Sequence, residues 1–98
     1  MKATVVRYQA KPERAAENRQ LIEAVFAELH ERNPQGFSYR VLQLEDGVGF
    51  VHVVVELDVS DPDSLQEVPA FQAFVADIAE RCDVAPVATA ATVVGEYS

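Results

Sequence analysis

"GFSYRVLQLEDGVGFVHVVVELD", residues 36–58, decides the fold. Two runs rich in β-branched and aromatic residues flank Asp46-Gly47, a dipeptide that tolerates the positive φ angles of a tight hairpin turn. Taking Asp46 and Gly47 as the two turn residues sets the register. Glu45 faces Val48, Gln43 faces Phe50, Val41 faces His52 and Tyr39 faces Val54. Directly opposed residues share a face of the sheet. One face is therefore Tyr39, Val41, Gln43, Phe50, His52 and Val54; the other is Arg40, Leu42, Leu44, Val51, Val53 and Val55. The second set is the more uniformly aliphatic, which predicts that it lies under the helices. Tyr39, Val41, Phe50, His52 and Val54 would then face away from them. Such a face is too apolar to be left in water, so the expectation is a homodimer with those five residues at its interface.

Working outward, "ATVVRYQ", residues 3–9, reads as a first strand. Pro12 suits the first turn of a helix, where its missing N–H is not needed. Ala15, Asn18, Ile22, Val25, Phe26 and Leu29 then recur at three- and four-residue spacing, with glutamates mainly on the other side. Pro34 ends this helix by biasing Asn33 away from helical geometry. Beyond the hairpin, "VSDPDS" is a loop, and Ser64-Leu65-Gln66-Glu67 fits a capping box, with Pro69 forcing a break and a restart. The second helix is expected to bury Phe71, Phe74, Val75, Ile78 and Cys82, and residues 87–97 read as the last strand. The order β-α-β-β-α-β is the ferredoxin-like split unit. The fold class is α+β: one domain over residues 1–98, a four-stranded antiparallel sheet with both helices on one face.

Composition narrows the partners. The chain has 98 residues, 49% hydrophobic and 24% charged, which places it among small globular domains. Sixteen acidic against eight basic residues give a formal charge of −8, and the basic residues form no patch in the sequence. Neither nucleic acid nor an anionic membrane is expected as a partner. Cys82 is the one cysteine, so no intramolecular disulfide and no multi-cysteine zinc site can form. No run reaches membrane-spanning length and no signal peptide is visible, so the expected location is cytoplasmic.

The side chains with chemical potential each carry a plainer reading. His52 would serve as a base only with a pKa near neutrality and a substrate beside it; the preferred reading is a hydrogen-bonded interface histidine. Tyr8 shares a face with Val6 under the helices, where its hydroxyl either orients a ligand or finds a backbone partner. His52 and Tyr8 are thus the catalytic candidates, and neither is singled out as the base. Arg7 and Arg40 could hold a carboxylate, although an arginine extending to water over an apolar stem is the commoner state. His30 suits a helix C-terminus. Asp58, Asp61 and Asp63 crowd one loop but lack the spacing of an EF-hand, so no metal is expected.

The whole pattern resembles the antibiotic biosynthesis monooxygenase-like family of dimeric α/β barrels. The resemblance rests on "VVRYQAKPE" running from the first strand into its helix, the hairpin ending in "VVVELD", and "SLQEVPAFQAF" opening the second helix. It covers nearly the whole chain and is more specific for fold than for activity. It implies two sheets paired face to face with helices outside. It also implies oxygenation of phenols or quinols without metal, flavin or other cofactor, the substrate anion itself reducing O₂. By the same resemblance the cleft lies between sheet and helices, and Tyr8, Arg40, Val53, Val55, Phe71 and Phe74 would line it. Two departures matter. Gln66, Glu67 and Val68 stand where many members carry a histidine, and the absence of tryptophan argues against haem degradation. The implied function is a dimeric binder of a small aromatic or quinone-like molecule, with cofactor-independent monooxygenation as its reaction. The alternatives are a catalytically silent ligand-binding or dimerisation module, and an isomerase or cyclase on the same fold.

Overall fold

The computed structural model describes residues 2–57 and 64–97. Strand β1 (Lys2–Ala10) leads through a 3-10 turn (Pro12–Arg14) into helix α1 (Ala15–Arg32). Strands β2 (Phe37–Gln43) and β3 (Gly49–Glu56) form the hairpin. Helix α2 (Pro69–Ala76) lies between 3-10 turns at Leu65–Glu67 and Ile78–Arg81, and strand β4 (Cys82–Thr92) closes the chain's sheet. The antiparallel sheet has the order β2-β3-β1-β4, the ferredoxin-like arrangement expected.

Helix α1 follows its sequence pattern closely. Ala15, Asn18, Ile22 and Val25 are buried, and Phe26 and Leu29 pack against the core. Asn33 ends the helix in the left-handed region at φ 51°, its N–H donating to the Leu29 carbonyl, just ahead of Pro34. Helix α2 restarts at Pro69 as predicted, with Pro at its first position. Ser64, however, makes no side-chain capping bond, so the capping box is not formed. Val75 is exposed on α2, against the expectation that it is buried, because this short, largely apolar helix is covered on one side only, the side of Phe74. The last strand starts five residues earlier than predicted and ends at Thr92 rather than 97. Among the described residues no helix is long and apolar enough to cross a membrane. Asp58, Asp61 and Asp63 lie outside the described residues.

The hairpin register is the predicted one: Tyr39 pairs with Val54, Val41 with His52 and Gln43 with Phe50. Its loop is wider than a two-residue turn. Gly47 N–H donates to the Leu44 carbonyl, Leu44 N–H to the Gly49 carbonyl, and Gly47 adopts φ 80°. The loop gains one residue on each side, so the pairing beyond it is unchanged. The Asp46 carboxylate accepts from the Val48 and Gly49 N–H groups, and these bonds hold its pKa below the usual range.

The two faces of the hairpin are the reverse of the expectation. Phe50 and His52 are buried at 1% and 4% exposure, and Tyr39, Val41 and Val54 pack on the same core beneath the helices. Arg40, Leu42, Leu44, Val51, Val53 and Val55 face the other way, and Leu42 is 49% exposed. The expected interface set therefore forms the domain core. Strand β1 gives the reason. Val6 and Tyr8 lie under the helices as predicted, and they pair directly with His52 and Phe50. Opposed residues must share a face. The aromatic and polar side chains of this face also find their partners on the helices, as described next.

Candidate functional site

Five buried or half-buried side chains form one hydrogen-bonded chain beneath the helices. Tyr39 on β2 has its Oη 2.7 Å from His52 Nδ1 on β3. His52 Nε2 is 2.8 Å from the Tyr8 hydroxyl on β1. Asn18 Nδ2 on α1 donates to that hydroxyl at 2.9 Å. Arg81, at the end of the turn after α2, donates from Nε to Asn18 Oδ1 at 3.1 Å and from a terminal nitrogen to the Phe74 carbonyl at 2.6 Å. The links span 10 to 63 residues of sequence, so the fold brings them together. Among the described residues no buried side-chain nitrogen or oxygen lacks a partner.

An aromatic shell encloses the chain. Tyr8 stacks on Phe50 at 5.5 Å, Tyr39 stacks on Phe26 at 5.1 Å, and His52 stacks on Phe74 at 5.3 Å. Phe71 meets Tyr39 edge-on, and the Arg81 guanidinium lies 5.2 Å from the centre of the Phe74 ring. Burial in these surroundings disfavours the charged forms of the histidine and of both tyrosines. It pushes the His52 pKa down to about 4 and raises that of Tyr39. Burial also pushes Tyr8 up to about 12, partly opposed by the Asn18 hydrogen bond. At neutral pH the chain is neutral apart from Arg81. That guanidinium is 1% exposed, and among the described residues no carboxylate lies within ion-pair distance of it.

Beside this core a groove of about 650 Å³ runs between α1 and the hairpin, walled by Ile22, Phe26, Val41 and Phe50 with Arg19 and Gln43 at its rim. That volume suits a small aromatic ligand. The six residues expected to line one cleft are split. Tyr8, Phe71 and Phe74 belong to the helix side, whereas Arg40, Val53 and Val55 line a separate hollow of about 500 Å³ on the open sheet face. Cys82 is half-buried where the last turn enters β4, and burial raises its pKa. Among the described residues no group of three His, Cys, Asp or Glu side chains could hold a metal ion.

Asn18 and Arg81 were not singled out as site residues by the sequence. The signal was present: Asn18 is a polar residue inside the apolar stripe of α1, and Arg81 continues the spacing of Phe71, Phe74 and Ile78. A polar residue on a core-facing stripe must find a partner there.

The chain matches no protein-family model and no curated protein. Solved structures do match it over nearly its whole length. Rv0793 from Mycobacterium tuberculosis is 20% identical, with a TM-score of 0.75, over 99% of this chain and 98% of that one. An antibiotic biosynthesis monooxygenase is 15% identical, with a TM-score of 0.75, over 97% of this chain and 100% of its own. SnoaB, a cofactor-independent oxygenase from Streptomyces nogalater solved as a mutant, is 15% identical, with a TM-score of 0.68, over 97% of this chain and 94% of that one. The chain therefore has the fold of the antibiotic biosynthesis monooxygenases, as its sequence pattern implied.

Proposed function

We propose that this protein binds a small aromatic or quinol-type molecule as its anion and oxygenates it without a cofactor. The observation that carries this reading is the buried Arg81 cation, joined through Asn18, Tyr8 and His52 to the Tyr39 hydroxyl inside an aromatic shell. A positive charge with no carboxylate within ion-pair distance among the described residues, in low-dielectric surroundings, favours a negative charge at the far end of such a chain. The aromatic walls favour a flat ligand to carry it. The likeness in fold to a cofactor-independent oxygenase supports the same class of chemistry.

The site is built to stabilise an anion rather than to generate one. Both nitrogens of His52 are already engaged and its pKa is depressed, so it is a poor proton acceptor near neutrality. The substrate must then be acidic enough to ionise by itself. In the proposed reaction an activated CH₂ group, that of the keto tautomer of a phenol or quinol, is deprotonated to a resonance-stabilised anion, which reduces O₂ and forms a C–O bond. The O–O bond then breaks: one oxygen stays as a carbonyl and the other leaves as water, carrying both protons of the CH₂ group. The CH₂ carbon is oxidised by four electrons, and O₂ accepts all four.

Oxygen uptake with a panel of anthrone- and quinol-type compounds tests this. The expected result is uptake of one O₂ for each CH₂ converted to a carbonyl, with a rate that rises with pH along the substrate's own ionisation. No uptake above the buffer rate with any compound would overturn the oxygenase reading. The closed hydrogen bonding of His52 favours, as a second reading, a ligand-binding module without turnover. It disfavours the isomerase or cyclase, which needs a free base.

The proposed assembly is a homodimer in which a second copy covers the open face of the sheet. Leu42, Val84 and Val87 are 49%, 54% and 62% exposed there, an apolar surface of the kind that marks an interface. A cytoplasmic location is part of the same proposal.

A further inference from the structure

We infer that the buried chain is polarised in one direction, so that it holds His52 as the Nδ1–H tautomer and leaves the Tyr39 hydroxyl as the donor that meets the ligand's oxygen. The inference deepens the reading above and rests on it only for the ligand. The direction follows from counting donors and acceptors, beginning at the one residue whose role has no alternative.

Arginine carries only donors. The atom of Asn18 that faces Arg81 must therefore be the carbonyl oxygen, which turns the amide nitrogen towards Tyr8. An amide NH₂ is donor-only as well, so the Tyr8 oxygen accepts that bond. Its own proton then needs an acceptor. Tyr8 is 5% exposed, and among the described residues His52 Nε2, at 2.8 Å, is the other polar atom bonded to its hydroxyl. If Nε2 carried the ring proton, the Tyr8 oxygen would accept twice and its own proton would be buried without an acceptor, which is costly. So Nε2 is the bare nitrogen and Tyr8 donates to it. A neutral imidazole then carries its proton on Nδ1 and donates to Tyr39 Oη at 2.7 Å. The Tyr39 O–H has no acceptor among the described residues. Tyr39 is half-buried between Phe26 and Phe71, and Phe26 also walls the groove beside α1; on this inference an aromatic ligand's oxygen meets this donor, whose lone pair is already occupied by His52.

Asn18 and Arg81 are positioning residues in this scheme: they never touch the ligand, yet they set which way every hydrogen points. Asn18→Asp reverses the scheme with almost no change of shape. A carboxylate facing Arg81 and Tyr8 accepts from both. Tyr8 would then donate to residue 18, Nε2 would carry the ring proton, and the Tyr39 proton would turn inward to Nδ1.

Two-bond ¹H–¹⁵N correlation spectra of the full chain, labelled at histidine, read the tautomer directly. The expected result is a protonated Nδ1 in the wild type and a protonated Nε2 in Asn18→Asp. A wild type protonated at Nε2 overturns the inference whatever the protein binds, and needs no variant to be folded. An Asn18→Asp protein with an unchanged tautomer also overturns it. The ligand end is tested with 4-nitrophenolate, an aromatic oxyanion, against 4-nitroanisole, which lacks the charge. Tyr39→Phe and Asn18→Asp should each bind 4-nitrophenolate about tenfold more weakly, the scale of one lost hydrogen bond, with 4-nitroanisole unaffected. Equal affinity of wild type and Tyr39→Phe for 4-nitrophenolate overturns the role of Tyr39. If neither probe binds the wild type while the tautomer is as expected, the aromatic-ligand reading fails and the polarity of the chain stands.

Discussion

The two faces of the sheet divide their chemistry in an unexpected way. The face beneath the helices carries two tyrosines, a histidine and two phenylalanines, its polar groups tied to an asparagine and an arginine from above. The open face is mainly aliphatic, with Leu42, Val51, Val53, Val55 and Val87 across the strands and Arg7, Ser38, Arg40 and Thr89 among them. Hydrophobicity alone would bury the second and expose the first. What decides is completeness of hydrogen bonding. A polar side chain is stable inside when its buried donors and acceptors are met; here Asn18 and Arg81 complete the bonds that Tyr8 and His52 make within the sheet, and the half-buried Tyr39 hydroxyl keeps its donor for a ligand. An aliphatic face needs no particular partner and can be covered by any complementary apolar surface. The chain thus reserves its specific face for itself, and the proposed dimer would form on its unspecific one.

That contrast can be broken experimentally. The largest effect is expected from Phe50→Asp. Because Phe50 is 1% exposed and stacks on Tyr8, an unpaired carboxylate there should cost about 4 kcal/mol and unfold the domain rather than merely split a dimer. A thermal melt that kept its midpoint would return Phe50 to the surface. Acid should act next. His52 has a folded pKa of about 4 against 6.5 when unperturbed, so the unfolded chain takes up a proton first as pH falls. Stability is complete above about pH 6.5 and should fall by about 3 kcal/mol on the way to pH 4. Urea midpoints across that window would show it, and the His52 contribution to the slope should vanish in His52→Gln. On the opposite face, Leu42→Asp should leave far-UV circular dichroism intact while weakening self-association about a hundredfold, measured by light scattering. An unaltered mass in that variant would remove the open face from the assembly. The smallest effect is that of His52→Gln at neutral pH. Glutamine keeps one donor and one acceptor, so the loss should be about 1 kcal/mol in denaturant unfolding.

The sequence carried the strand order and the hairpin register, because both depend on local signals: turn residues, period-two runs and the spacing of apolar residues along α1. Even the loop's widening around Gly47 left the pairing of Val41 with His52 untouched. The orientation of the hairpin was not legible in the same way. It depends on which residues of β1 meet β3, a pairing between segments about forty residues apart. Had Tyr8 been set opposite Phe50, its place under the helices would have fixed the place of His52 as well. Asn18 was visible as a polar interruption of an apolar stripe, but its partner Arg81 is 63 residues away. The site is a property of tertiary contacts, and only its individual members could be noticed beforehand.

The position of β1 between β3 and β4 has a consequence for how the protein is made. Of the four strands, the earliest in the sequence is an inner strand of the sheet, and one of its two neighbours is the latest. During translation Tyr8 and His52 leave the ribosome long before Arg81, the residue that fixes the Asn18 amide and, through it, the hydrogen bonds of the core. The nascent chain therefore carries an unpaired edge of β1 and an incomplete polar core until its C-terminal part emerges. Such an intermediate exposes a strand edge to other chains. The sooner the last strand follows, the shorter the time for which that edge is open to other chains.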